Sequence, residues 1–309
     1  MSKISDTANT YQPTVWLFGD GRSGTTWIAE LINYAGAYRE LFEPFHPQAI
    51  QQACFLSPHE YSRTLTKHPQ LFDYASQVFS GKINNPRVDS GNQHPIDQYR
   101  KLLVKDIFAN LFAYATCCEF PQVKPVLLIR NPFAMATSKF NKRHWYWLTD
   151  PSVLVAQAPL YVDFLEPFEE IIEITIEEDN YILNLILIWC IINYVPLKQF
   201  DPHAIHVCLY EAVYAAPQPN LAELFAFIND NQDAEIDESQ ISKPSRLSGK
   251  QSTLARGSSP INAWMDEMPT VIIDRGLEIM DEFGFGNLYD EQSMPNRDVI
   301  SRIQSTAKD

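Results

Sequence analysis

Near the start of the chain, the run Val15-Trp-Leu-Phe-Gly-Asp-Gly-Arg-Ser-Gly-Thr-Thr-Trp27 gathers residue types that bind anions. Four apolar residues lead into a glycine-rich turn, and a helical pattern follows. In such a strand–turn–helix unit the N–H groups at the helix start converge, and the helix dipole adds partial positive charge. Gly19, Gly21 and Gly24 allow close backbone approach, Thr25 and Thr26 add hydroxyl donors, and Arg22 supplies a permanent charge with paired donors. The spacing from Gly19 to Gly24 matches a phosphate-binding loop, yet Thr25 stands where a nucleotide-hydrolysing loop carries its lysine. The plain alternative is an ordinary turn between a strand and a helix.

A second set of residues lies downstream. In "VLLIRNPFAMATS" an apolar strand ends at Arg130, and Ser138 follows about two helical turns later. Together they can clasp one phosphate between a strand tip and a helix face. Taken separately, Arg130 reads as a helix-cap ion pair and Ser138 as a surface residue. Lys105 closes the strand "KLLVK" with Asp106 beside it, and "ELFEPFH" holds Glu40, Glu43 and His46, whose types suit proton transfer. A glutamate before Pro44 equally suits a turn, and a strand-end lysine equally suits the surface.

The first motif resembles the 5′-phosphosulfate loop of the sulfotransferases that use 3′-phosphoadenosine 5′-phosphosulfate (PAPS), in which Lys or Arg precedes Ser-Gly-Thr-Thr. The resemblance implies that Arg22, Ser23, Gly24, Thr25 and Thr26 hold a phosphosulfate rather than a triphosphate with magnesium. It also implies that Trp27 packs on adenine; a core position on the first helical turn is the alternative. The second motif resembles the family's 3′-phosphate site, an apolar strand, Arg-(Asp/Asn)-Pro and a serine at this spacing, which assigns that phosphate to Arg130 and Ser138. "VCLYEAV" resembles the family strand ending in Tyr-Glu and brings Tyr210 toward adenine. "LARGSSPINAW" resembles a late Arg-Lys-Gly loop that returns to the 3′-phosphate. Arg256 and Gly257 match it, the middle lysine is missing, and Arg246 or Lys250 are the substitutes; a solvated linker is the alternative. The likeness runs from Val15 to about Phe285, strongly at two motifs and loosely elsewhere.

Sulfuryl transfer, which this resemblance implies, rests on positioning and electrostatics as phosphoryl transfer does, and no metal is expected. Arg22 and the loop N–H groups would stabilise the leaving phosphate, and Lys105 would contact the transferring group. Cytosolic animal members place a histidine after a Lys-Thr pair as base; Lys105-Asp106-Ile107 has none. Carbohydrate-type and several bacterial members use a glutamate after the second strand, often in Phe-Glu-Pro. Glu43 is therefore the expected base, with His46, Glu40 and Asp106 in reserve. Trp145, Tyr146, Trp147, Tyr161 and Phe164 suit an acceptor pocket or simply core. The acidic run "EPFEEIIEITIEED" would repel a polyanionic glycan and admit a neutral or cationic small molecule. Saxitoxin-pathway sulfotransferases, which act on a guanidinium alkaloid, fit that charge. Two other classes stay open: a P-loop kinase or phosphotransferase, and a non-catalytic relative that binds the desulfated product PAP.

These residues need a scaffold that brings several strand ends together. Apolar strands at 15–19, 41–45, 102–104, 126–129 and 205–210 alternate with helical patterns at 25–34, 131–141, 181–195, 221–229 and 262–283. That alternation favours a parallel sheet covered on both faces, and with the resemblance a P-loop-like three-layer α/β/α fold with helical insertions. One domain is expected over residues 15–290, between tails at 1–14 and 291–309. With 309 residues and 45% of them hydrophobic, the chain can build a substantial core. A net charge of -14 argues against nucleic-acid or anionic-membrane binding, though a few cations can still surround one anionic ligand. Five cysteines with no C-x-x-C pair indicate neither a disulfide framework nor a zinc site. The N-terminal residues are polar, and the apolar run Tyr181–Val195 is read as too short to span a bilayer; a cytoplasmic protein is the expectation.

Overall fold

The apolar runs become five strands: β1 (Thr14–Gly19), β2 (Tyr38–Phe42), β3 (Lys101–Asp106), β4 (Val123–Ile129) and β5 (His206–Leu209). The computed structural model describes residues 11–64, 68–142, 147–229, 243, 245–247 and 259–305. All strand pairings are parallel, in the order β2-β3-β1-β4-β5. The central β1 is buried along its whole length, which is why its sequence is nearly all apolar rather than alternating. Its side chains serve two layers: Trp16 and Phe18 enter one core, Val15 and Leu17 the other. Pro125 interrupts no ladder on the β5 side, because pairing to β5 begins one residue later at Val126.

The helices are α1 (Thr25–Ile32), α2 (Pro69–Phe79), α3 (Ala113–Glu119), α4 (Pro132–Asn141), α5 (Glu169–Glu177), α6 (Tyr181–Gln199), α7 (Tyr210–Ala215), α8 (Pro217–Phe227), α9 (Thr270–Glu282) and α10 (Arg297–Ser305), with shorter helical turns at 152–168. α1, α7 and α8 cover the face of Val15 and Leu17. α2, α3, α4, α6, α9 and α10 pack on the other, giving a three-layer α/β/α arrangement. The chain leaves β1 toward β2 on one side and β4 toward β5 on the other. The carboxyl ends of β1 and β4 thus flank the switch point where open α/β sheets place ligands.

Several expected boundaries move, each for a local reason. The second strand ends at Phe42 rather than Phe45, because Glu43 turns to φ 49° and Pro44 follows. The C-terminal helix begins at Thr270, just after Pro269, rather than near residue 262; before it, Trp264 stacks on Phe133 at 4.9 Å. The helix expected from 221 starts at Pro217, whose ring suits a first turn. α6 has 19 residues, so by length and composition it reaches a bilayer-spanning size that the shorter apolar run did not. It is 72% buried within the protein over its apolar window, packed against α4 and α9. Finally, the segment expected as a tail after residue 290 contains α10, whose Val299, Ile300 and Ile303 form one helical face and enter the core.

Candidate active site

The loop after β1 is shaped by close packing. A Cβ at Gly24 would lie 2.6 Å from the Tyr210 ring, and Gly24 also has φ 97°, so side chain and backbone both demand glycine. Arg22 adopts φ 71° in the same turn. The Ser23 hydroxyl donates to the Asp20 carbonyl at 2.6 Å, closing the turn on itself, while Thr25 and Thr26 sit buried on the first turn of α1. Asp20 is paired with Lys139 of α4 at 2.7 and 2.8 Å, both side chains buried, which ties the loop to the next helix. Sequence reasoning missed this pair: an acid inside a glycine loop was visible, but its partner lies 119 positions away.

The two motifs converge. Arg22 Nε donates to Ser138 Oγ at 3.1 Å, and Arg130 Nη1 donates to the Arg22 carbonyl at 3.0 Å. Ser138 therefore bonds to Arg22 rather than Arg130, and the expected 5′ and 3′ sites form one contiguous patch. Arg130 Nη2 rests on the Pro260 carbonyl at 2.8 Å, its guanidinium lies 4.4 Å over the Tyr210 ring, and its buried Nε has no hydrogen-bond partner. Among the described residues, neither Arg22 nor Arg130 forms an ion pair with a carboxylate. Burial, and then the Arg130 charge, push the Arg22 guanidinium below its ordinary value; burial and the Arg22 charge do the same to Lys142. Asn131 Oδ1 caps α4 by accepting from Phe133 N and Ala134 N at 2.9 and 3.3 Å.

Trp27 packs on Tyr210 with ring centroids 5.1 Å apart and is 4% exposed. Tyr210 starts α7 rather than ending β5. Arg256, Gly257 and Lys250 lie outside the described residues. Arg246 holds Glu40 of β2 through both Nη atoms and takes its backbone N–H to Glu30 at 3.0 Å. These two acids draw it to the opposite edge of the sheet from β4, which corrects its reading as a substitute at the 3′ site.

At the ends of β2 and β3, Lys105 Nζ meets Glu43 Oε1 at 2.6 Å and Arg87 Nη2 meets Oε2 at 2.5 Å. Arg87 was missed because it lies in the turn-rich section, 44 positions from Glu43. Burial works to raise the Glu43 carboxyl, but Lys105 and Arg87 outweigh it and hold the group below the usual range. The reserves differ. Burial, followed by the Glu43 charge, raises the carboxyl of the fully buried Asp106 well above its ordinary value. His46 Nδ1 accepts from Gln48 N and Ala49 N at 3.3 and 3.2 Å, leaving the proton on Nε2, and burial pushes its pKa down to about 4. Its ring lies edge-on to Trp147 at 4.5 Å and to Phe108 at 5.0 Å. Phe164 packs against Tyr61, and Tyr161 donates to Glu169. Trp145 and Tyr146 lie outside the described residues.

No family model and no curated protein matches the chain. Among solved structures it is similar to a sulfotransferase from Alicyclobacillus acidocaldarius, at 13% identity over 88% of this chain and 96% of that one, TM-score 0.43. It is similar to the sulfotransferase domain of the curacin biosynthetic pathway, at 17% identity over 95% and 96%, TM-score 0.42. A third likeness is to retinol dehydratase in complex with androsterone and the inactive cofactor PAP, at 14% identity over 92% and 86%, TM-score 0.41.

Proposed function

We propose that the protein is a PAPS-dependent sulfotransferase acting on a small-molecule acceptor. One observation carries this reading. Two guanidiniums, Arg22 and Arg130, lie together at the switch point with no carboxylate partner among the described residues, in a chain of net charge -14. Like charges held so close want an anion between them. The residues suit the nucleotide: Arg130 leans on backbone carbonyls that a phosphate can replace, and its Nε is free of partners. Arg22 and the N–H groups of Gly24 to Thr26 would hold the 5′ end, and Arg130 with Ser138 the 3′-phosphate, while PAPS when bound supplies the sulfuryl group. Thr25 in place of lysine argues against a kinase.

Glu43 is the group that receives the acceptor's proton. It is ionised and hydrogen-bonded to Lys105. When negative charge develops nearby, Lys105 turns toward it, Glu43 loses a counter-charge, and its basicity rises. A neutral or cationic acceptor fits the acids of α5, Glu169, Glu170 and Glu173, and the setting proposed is cytoplasmic.

The test has two arms. PAP should raise the melting temperature far more than AMP, which lacks the 3′-phosphate; a hundredfold excess over Kd stabilises by about 2.7 kcal/mol. Equal shifts from PAP and AMP, or tighter binding of ATP with magnesium, would overturn the assignment. Incubation with labelled PAPS and a metabolite extract should give a product heavier by one sulfonate. PAP binding with no transfer across a broad acceptor panel would point instead to a non-catalytic nucleotide-binding protein.

A further inference from the structure

The peptide joining Arg130 to Asn131 is gripped from both sides. Its carbonyl accepts from Trp189 Nε1 of α6 at 2.9 Å, and its N–H donates to Glu211 Oε1 at 2.9 Å. Glu211 stands on the first turn of α7, next to the Tyr210 ring that lies under the Arg130 guanidinium, and is 0% exposed. Its other oxygen, Oε2, is buried and faces the buried hydroxyl of Tyr289; neither atom has a partner in full hydrogen-bond geometry, but the hydroxyl lies close enough to favour the ionised carboxyl. Holding one amide needs only one acceptor, which a glutamine would supply. A buried carboxyl with a spare oxygen is costly when charged and unexplained by that task alone. What the carboxyl adds is a place for a proton, close to the cation that would meet the 3′-phosphate.

We propose that Glu211 is a positioning residue of the nucleotide site: it fixes the Arg130–Asn131 peptide, and it takes up a proton when a phosphate arrives at Arg130. The inference rests on the nucleotide reading above. An ionised Glu211 partly offsets the charge of Arg130. An incoming phosphate brings like charge toward the carboxylate and claims the same guanidinium, and both effects favour the neutral carboxyl. The group is already balanced near neutrality, since burial raises it to about 7 against the opposing pull of the Asn131 N–H, the Arg130 charge and, more weakly, its own backbone N–H and the Tyr289 hydroxyl. The groups facing it are Arg130 just after β4, Cys208 from β5, Tyr210 from α7 and Tyr289 from the segment after α9. Burial lifts Cys208 to about 12 and raises both tyrosines, so none of these changes charge near neutral pH.

The experiment is calorimetric titration of the full chain with PAP, at about pH 6.5 to 8.5, in buffers of different ionisation enthalpy. Proton uptake on binding is expected, with a Kd that tightens as pH falls, about tenfold over this range for each unit by which phosphate raises the carboxyl. The phosphate's own second ionisation, near 6, works in the opposite sense, so it cannot mimic the result. Glu211→Gln keeps the acceptor for Asn131 N–H; it should bind PAP, lose the uptake and flatten the pH profile. PAP binding by the wild type without uptake, or unchanged uptake in Glu211→Gln, overturns the inference and leaves the nucleotide reading intact. If Glu211→Gln does not fold, the wild type decides: AMP, with no 3′-phosphate, should take up less proton than PAP, and equal uptake overturns the inference. No PAP binding by the wild type overturns both readings.

Discussion

Arg130 Nη1 donates to the carbonyl of Arg22, Nη2 to that of Pro260, and both oxygens can yield to a phosphate without leaving a charge buried. Arg130→Ala should therefore weaken PAP binding about 10- to 150-fold, the equivalent of one charge-assisted bond of about 1.5–3 kcal/mol, while the protein stays folded. An unchanged Kd by calorimetry would remove Arg130 from the site. Glu43 differs, because Lys105 is 2% exposed and loses its counter-charge in Glu43→Gln. Removing one partner of a buried pair costs about 3–5 kcal/mol, so the variant should unfold at lower urea as well as lose about 10²–10⁴ in kcat. A kcat within a few-fold of wild type, once the folded fraction is measured, would make Glu43 structural. His46→Ala should retain most activity, since the Nδ1 lone pair of His46 is taken by backbone N–H groups.

At the scale of elements, the site depends on how helix starts are fixed. Asn131 caps α4 and is the residue after Arg130, so the cap and the cation are set by one turn. Asn131→Ala should cost about 1 kcal/mol in urea unfolding. It should weaken PAP binding less than Arg130→Ala, because the backbone N–H to Glu211 survives. A PAP affinity lower than that of Arg130→Ala would show that the cap, rather than the charge, governs the 3′ side. The glycine turn and the Arg-Asn-Pro start were legible because both are local: residues within one loop dictate backbone angles and caps. The end of β2 was less so. Glu43 leaves the strand at φ 49° where Lys105 of β3 and Arg87 meet its carboxylate, and neither partner is a sequence neighbour.

For the whole molecule, burial of titratable groups sets the pH response. His59 is 1% exposed, and burial followed by the Lys139 charge pushes its pKa down to about 3. A depressed histidine contributes stability that is present above its unfolded value of about 6.5 and is lost as pH falls toward the folded value. His59→Asn cannot titrate and suits the left-handed backbone at φ 52°. It should therefore lose less stability than wild type between about pH 7 and pH 5, measured by urea unfolding at each pH. Equal losses would show that His59 titrates in the fold as it does in the unfolded chain. The same global view explains how an acidic protein makes a cationic patch. The net charge is an average, while the parallel sheet brings the carboxyl ends of β1 and β4 side by side and sets Arg22 against Arg130 across 108 positions.

The sequence by itself determined the alternating strands and helices, the glycine loop and the Arg130 turn, because hydrophobic periodicity and backbone sterics act over a few residues. It also named Glu43 and Lys105 without showing that they touch. Only the tertiary structure decided the strand order, the bond between Ser138 and Arg22, the place of Arg246 on Glu40, the entry of Arg87, and the burial that raises the Asp106 carboxyl. These depend on which distant segments share a sheet edge, and on how much water the fold removes around each charge. Spacing along a chain encodes neither.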